Sequence, residues 1–337
     1  MARGPVASSF DSLARFPMNI GKYIKKTYEN NPNLPFRRAV RAIYWRLRAN
    51  PRRFYRNFKP VNSTKPLRCN PASQTELHTL TCHDHVFMYI TAIKSLLRFV
   101  SDLAVVVHDD GSLTPKDIIT IERHIIGIKV IRRSEADKIV GKLLAPYPKT
   151  ASYRSAVINS LELTDHALLA GRDRVIITNS DTLFLRRPDE IMQWIDAGDG
   201  KVLCVYEKQP VQQAEFLTRM QSSFPPHLTL ALVCLYKPVV EPAGMDELIN
   251  QVEQTDSPWF IGQNLLPVLI GKKVGGDKIK FLDSRLYQAS GEFGEGAVFR
   301  HYWTSIVNLR PQYSADAAKV IAELKSDDKL STSAAPR

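Results

Sequence analysis

The chain has 337 residues, 44% hydrophobic and 24% charged, with 21 prolines and 16 glycines, which excludes collagen-like, coiled-coil and wholly disordered classes. That length suffices for one large α/β domain or two small ones, and its longest apolar runs, such as Leu228–Tyr236, reach about half the twenty or so residues a spanning helix needs. The net charge of +12 sits at one end: residues 1–68 carry 16 Lys/Arg against only Asp11 and Glu29, and the rest is nearly neutral.

In chain order, residues 1–69 read as a basic, partly helical arm. A helix is expected from Leu34-Pro35-Phe36 to about Ala49, closed by Asn50-Pro51. Arg52-Arg53-Phe54-Tyr55-Arg56-Asn57-Phe58-Lys59 then interleaves aromatics with basic side chains. Residues 35–59 suit peripheral contact with an anionic membrane, each charge adding about 1 kcal/mol near acidic lipids. The plainer alternative is an arm packed on the domain with its arginines solvated. No RNA- or DNA-binding motif accompanies the charges, and a nucleic-acid-binding domain would spread them over its folded surface, so no specific nucleic acid is expected.

Residues 70–312 alternate strands and helices. Strands are predicted at Glu76–Cys82, Leu103–His108, Ile128–Ile131, Arg174–Thr178, Val202–Tyr206 and Thr229–Tyr236. Helices are predicted at Val86–Phe99, after Thr114-Pro115 with Thr114 as N-cap, over Tyr153–Leu169 as one long element, and after Pro188. Continuous apolar strands between helices mean a mostly parallel sheet covered on both faces, a Rossmann-like α/β domain. Residues 313–337 read as a short helix over Ala315–Leu324 and a disordered tail from Lys325.

Ligands in such sheets collect at the carboxyl ends of the strands. The polar clusters Thr81-Cys82-His83-Asp84, His108-Asp109-Asp110-Gly111 and Asn179-Ser180-Asp181 fall there. Carboxylates at strand ends suit a divalent cation that in turn neutralises a diphosphate, and Asp109 or Asp110 is placed to accept hydrogen bonds from a base or ribose. A turn or helix cap is the common role of each acid taken alone. The four cysteines show no CxxC pair or metal-finger spacing and read as reduced thiols of an intracellular protein. No secretory pattern opens the chain, so a cytoplasmic location is expected, with an organelle transit peptide as second reading. No GxGxxG, Walker loop, GxSxG or HExxH is present, which leaves kinase, hydrolase and zincin readings unsupported.

Four segments, in order, resemble GT-A-fold glycosyltransferases, nearest the family-eight-like nucleotide-diphospho-sugar transferases. His108-Asp109-Asp110-Gly111-Ser112-Leu113-Thr114 resembles their second-strand DDGS segment. Arg174 to Phe184, through Asn179-Ser180-Asp181, resembles the DxD segment. Trp259-Phe260-Ile261-Gly262-Gln263 resembles a later stretch beside the acceptor, and Arg300-His301-Tyr302 the late His of the metal shell. The resemblance spans about residues 75–305. It implies sugar transfer from a nucleotide-sugar donor to a glycan, lipid or protein acceptor, assisted by Mn²⁺ or Mg²⁺. It also implies Asn179, Asp181 and His301 as metal ligands, Gln263 and Asp181 as catalytic residues, and His83, Asp109, Asp110 and Ser180 near the nucleotide. Arg154, and more weakly Arg133, would face the phosphates; a surface salt bridge is the ordinary alternative for both. The sequence departs from the pattern at Asn179, where an acid is expected, at Gly262, and at Glu162, where relatives often carry Lys. These losses leave open a non-catalytic sugar-nucleotide or glycan-binding protein on the same fold. The arm would then hold the domain at the inner face of a membrane.

Overall fold

A computed structural model describes residues 54–55, 57–198, 200–207, 213–222, 224, 227–252, 258–274, 276–289, 293–304 and 309–333. The expected arm helix over 34–49 lies outside them. Residues 55–337 form one compact unit, and residues 1–54 another. Residues 55–69, which the sequence groups with the arm, belong to the first of these: Phe58 and Val61 are buried, and Val61 lies in its core.

The main sheet has seven strands. In chain order these are β2 (Thr75–Thr81), β3 (Ala104–Asp109), β5 (Lys129–Ile131), β6 (Arg174–Thr178), β8 (Val202–Tyr206), β9 (Leu228–Tyr236) and β10 (Ile279–Phe281). Their spatial order is β10-β8-β9-β6-β2-β3-β5, parallel throughout except for β9. Two short strands, β1 (Leu67–Arg68) and β4 (Ile125–Ile126), pair separately. A third sheet joins β7 (Thr182–Phe184), β11 (Tyr287–Gln288) and β12 (Phe299–His301).

The period of two explains the layers. Ile176 faces one apolar cluster with Leu77, Val105, Val107, Leu203 and Cys234, while Val175 and Ile177 face the other with Val202, Cys204, Val233 and Leu235. Helix α1 (Val86–Leu97) is buried almost throughout. Helix α2 (Pro115–His124) has Thr114 as its N-cap, as the sequence predicts, and the structure adds a complete capping box with Asp117.

One expected helix is two. Helix α3 (Arg133–Leu143) is followed by α4 (Pro148–Ala156) and α5 (Leu161–Leu168), where the sequence predicts a single helix over Tyr153–Leu169. Val157 turns extended at φ −124°, ψ 111°, and Ile158–Ser160 form a 3₁₀ turn closed by Ser160 Oγ donating to the Val157 carbonyl at 2.6 Å. Two β-branched residues followed by Asn and Ser favour that break over helical continuation. The remaining helices are α6 (Asp189–Ala197), α7 (Gln213–Arg219), α8 (Pro242–Val252), α9 (Pro258–Lys273) and α10 (Arg310–Ser333). Helix α10 outruns the short Ala315–Leu324 element and reaches into the expected tail. Tyr313, Ala317, Val320, Ile321 and Leu324 bury one face, and no Gly or Pro interrupts the chain between Pro311 and Pro336.

Three imidazoles pack inside this unit. His78 Nδ1 and His108 Nε2 lie 2.9 Å apart, and the His108 and His166 rings are 4.6 Å apart. Both His166 nitrogens are buried without a hydrogen-bond partner among the described residues. Burial holds His78, His108 and His166 below the ordinary imidazole value. A folded value below the unfolded one means that stability is full above about pH 6.5 and falls as acid charges the unfolded chain first. Urea midpoints measured between pH 7.5 and 5.5 are therefore expected to fall, and His166→Leu should flatten that fall while adding about 1 kcal/mol at pH 7.5.

Candidate functional site

The chain order of the parallel strands reverses between β2 and β6, with β3 and β5 on one side and β6 on the other. A crevice outside the carboxyl ends of strands at such a switch point is the general ligand site of open α/β sheets. Here it is an open cleft of about 250 Å³. Its lining includes Thr81, Cys82 and His85 after β2, Asp110 after β3, and Asn179, Ser180 and Asp181 after β6. Ile158, Asn159 and Glu162 come from the break between α4 and α5. His301, Trp303 and Thr304 close it from the C-terminal side, and Tyr55 completes it.

Strand register brings the distant pieces together. β12 runs antiparallel to β7 with His301 opposite Thr182, which places His301 Nε2 3.3 Å from Asp181 Oδ1. Asp181 Oδ2 accepts from the Thr304 N–H at 2.8 Å and from Thr304 Oγ1 at 3.0 Å, and the Asp181 carbonyl accepts from Tyr302 N–H at 3.2 Å. Burial pushes the Asp181 carboxyl up, but His301, the Thr304 N–H and His85 outweigh it and hold the group well below the usual carboxylate range. Glu162 goes the other way. Burial and the Asp181 charge raise it to about 7, against a smaller lowering by His301.

The predicted metal ligands Asn179, Asp181 and His301 all line this cleft. Among the described residues Asn179 Oδ1 is buried with no hydrogen-bond partner, as is His301 Nδ1. Cis ligands on an octahedral ion with bonds of about 2.1 Å stand about 3 Å apart, close to the 3.3 Å between Asp181 and His301. Oxygen donors with one imidazole suit Mn²⁺ or Mg²⁺. Among the described residues no three His, Cys, Asp or Glu side chains converge as a preformed metal cluster. The donors therefore fit a cation that takes its remaining ligands from phosphate and water.

The nucleotide-binding expectations divide. Asp110 and Ser180 line the cleft. Asp110 Oδ1 accepts from Ser112 N–H at 2.9 Å and Ser112 Oγ at 2.6 Å, and Ser180 Oγ lies 3.2 Å from His85 Nδ1. Asp109 and His83 are not among the lining residues. Asp109 Oδ1 accepts from Gly111 N–H at 2.8 Å and Leu113 N–H at 3.0 Å, shaping a turn in which Gly111 holds φ at +107°. His83 Nδ1 is 2.7 Å from Asp117 Oδ2, beside the α2 capping box.

Both arginines are salt-bridged and neither is among the lining residues; the Arg154 pair is buried, where the sequence offered a surface salt bridge as the alternative. Arg154 gives Asp165 two hydrogen bonds, of 2.6 and 2.7 Å, and a third to Asp137 at 2.7 Å; Arg133 pairs with Asp137 at 2.8 Å. Three of the five N–H donors of the Arg154 guanidinium are thus engaged by carboxylates. Gln263 and Gly262 fall within α9, and their side chains lie outside the described residues. Sequence reasoning missed His85, Tyr55, Asn159, Trp303 and Thr304 as lining residues. His85 had a signal, since it follows His83 by two in the same strand-end cluster. Asn159 is brought in by the helix break, and Trp303 and Thr304 by the register of β12.

Comparison with protein-family models gives no match, nor does comparison with curated proteins. Solved structures similar to this chain include apo mouse xyloside xylosyltransferase 1, at 14% identity and TM-score 0.48, covering 70% of this chain and 98% of that one. Another is the galactosyltransferase LgtC in complex with donor and acceptor sugar analogues, at 13% identity and TM-score 0.49, covering 72% and 95%. A third is core-mannan synthase A from Aspergillus fumigatus in its Mn/GDP form, at 10% identity and TM-score 0.41, covering 62% and 73%.

Two outcomes follow from these placements. Arg154→Ala strands Asp165 in the interior and is expected to cost about 3–5 kcal/mol in denaturant unfolding. For Glu162, a folded value above the unfolded one means stability is full below about pH 4.5 and is lost as pH rises toward 7. Glu162→Gln should therefore stabilise the metal-free protein at pH 8, by on the order of 1–3 kcal/mol, and change little at pH 4.5.

Proposed function

We propose that this chain is a glycosyltransferase of GT-A-like fold, moving a sugar from a nucleoside-diphosphate sugar to an acceptor hydroxyl with the help of Mn²⁺ or Mg²⁺. The observation that carries the reading is the make-up of the switch-point cleft. Asp181 stands there beside His301 and an unpartnered Asn179 amide oxygen, and no Lys or Arg is among the described lining residues. Three carboxylates, Asp110, Glu162 and Asp181, disfavour a bare diphosphate and favour one accompanied by its cation.

Asn179, Asp181 and His301 would hold the cation, which when bound offsets the charge gathering on the departing diphosphate. Asp181 remains anionic because Thr304 and His301 stabilise that form. Asp110 and Ser180 would meet the nucleoside at the β3 and β6 ends, with the Tyr55 and His85 rings, 4.6 Å apart, beside it. Gln263 is proposed from the sequence as the group beside the reacting sugar. The basic arm is proposed to rest on an anionic membrane surface at its cytoplasmic face, where a lipid-linked or envelope glycan would supply the acceptor.

The test is a thermal-shift panel of nucleoside diphosphates and nucleotide sugars, with and without Mn²⁺, on wild type and Asp181→Asn. A ligand at a hundred times its dissociation constant adds about 2.7 kcal/mol, a shift of roughly 5 °C or more in a chain this size. The expected result is a Mn²⁺-dependent shift that Asp181→Asn removes. No shift with any nucleotide sinks the donor site. Binding without turnover, and no gain from Asn179→Asp, would leave a sugar-nucleotide-binding protein that has lost its chemistry. Deleting residues 1–54 should abolish co-sedimentation with vesicles containing phosphatidylserine and spare the nucleotide shift.

A further inference from the structure

The reading above leaves one aromatic ring in the cleft without a task. Trp303 lines the cleft next to His301, ring centroids 6.4 Å apart, and holds φ at +44°. For a bulky side chain this left-handed conformation is an outlier that persists only where its surroundings over-determine it. Those surroundings are hydrogen bonds on both sides. Tyr302 N–H donates to the Asp181 carbonyl, Thr304 N–H donates to Asp181 Oδ2, and Arg310 Nε donates to the Thr304 carbonyl at 2.8 Å. Glycine would adopt this backbone without strain, so the ring itself is what tryptophan adds at the position.

The rest of that wall comes from the α4–α5 break. Ile158 is 44% exposed, an aliphatic side chain presented to water at the edge of a polar cleft. Asn159 and Glu162 line the same cleft, and neither side chain has a hydrogen-bond partner among the described residues. A flat aromatic face, an aliphatic contact and two unengaged polar groups complement a ring with apolar C–H faces and a hydroxyl edge. A nucleobase is also flat, but the reading above sets the nucleoside at Asp110 and Ser180 beside the Tyr55 and His85 rings, whereas Trp303 adjoins His301.

We infer that Trp303, Ile158, Asn159 and Glu162 form a subsite for a pyranose ring, stacked on the indole beside Asp181 and His301. The subsite rests on the transferase reading for its purpose, and its occupant is either the donor's sugar or the terminal sugar of a glycan acceptor. Trp303 is thereby a specificity-determining residue, aimed by the same carboxylate proposed to hold the cation.

The test is saturation-transfer NMR on the full chain at millimolar methyl gluco-, galacto-, manno- and xylopyranoside, with cyclohexanol as a ring of similar size lacking the hydroxyl edge. At least one glycoside should give a signal that Trp303→Leu and Asn159→Ala each cut by about fivefold or more, and cyclohexanol should give none. Loss of that signal when a nucleotide sugar is added assigns the ring to the donor; persistence assigns it to the acceptor. The inference falls if no glycoside shows a Trp303-dependent signal, or if cyclohexanol matches the glycosides. Nucleoside diphosphate with Mn²⁺, run on the same samples, separates the two readings. Nucleotide binding without a glycoside signal removes the subsite alone, and the reverse removes the transferase reading alone. Trp303→Gly should lose the glycoside signal while its Tm stays level or rises by a few degrees as the backbone strain is relieved. A drop of more than about 5 °C would mark Trp303 as a packing residue and overturn the proposal.

Discussion

Asp181 is the joint on which the cleft depends. It stands at the end of β6, in the middle of the sheet, and gathers a segment more than a hundred residues later in the chain. Its carbonyl takes Tyr302 N–H, one carboxylate oxygen takes Thr304, and the other faces His301. The β12–β7 register makes this possible by setting His301 opposite Thr182. Burying a carboxylate is costly unless it is hydrogen-bonded and paired, and here the pairing wins. The group stays anionic across the pH range in which the protein is useful. Because the same oxygens organise the 302–304 segment, anything that binds Asp181 also bears on Trp303.

The break between α4 and α5 is the second constraint. A continuous helix from Tyr153 would have carried Ile158 and Asn159 round a regular wheel; the extended Val157 instead turns them into the cleft with Glu162. The same break leaves Arg154 and Asp165 on separate helices with their side chains locked together. One local departure from helical geometry thus separates two roles. Arg154 becomes part of the frame, and Glu162 becomes part of the wall. The cleft is therefore more acidic than one in which Arg154 faced it, which strengthens the case that an anionic ligand enters with a cation.

The sequence carries the frame of this unit well, because its strands are continuous apolar runs whose period and length leave little choice. Val202–Tyr206 and Arg174–Thr178 were legible to the residue, and Thr114 announces its helix through a capping box that needs only neighbours in sequence. The helix break was not legible, since Val157-Ile158-Asn159-Ser160 is only mildly unfavourable in a helix and packing decided it. The site was half legible. Asn179, Ser180, Asp181 and Asp110 come together because each follows a strand of the main sheet and those strand ends share one edge, while His301 is brought to them by the pairing of β12 with β7. Arg154, Asp109 and His83 were read toward a ligand because their partners Asp165, Leu113 and Asp117 are identified by geometry and not by spacing. A charged residue near a strand end has many possible partners, and sequence alone does not rank them.

The distribution of local cost separates frame from site. Asp109, His83 and Arg154 are each satisfied by named partners at ordinary distances, and the turn at Gly111 uses the one residue type its φ favours. Within the cleft the pattern inverts. Asn179 Oδ1 is buried and unpartnered, Glu162 keeps a carboxyl that burial and Asp181 push up to about 7, and Trp303 holds a backbone angle suited to glycine. Natural folds are locally consistent except where a ligand completes the arrangement, and titrating groups displaced in opposite directions cluster where chemistry is done. The cation proposed above would bear on two of these departures: the Asn179 amide oxygen would gain a partner, and the Asp181 charge that helps raise Glu162 would be countered. The left-handed backbone at Trp303 is held by the bonds its neighbours make to Asp181 and Arg310, and the ring proposed above would use the indole that this backbone presents to the cleft.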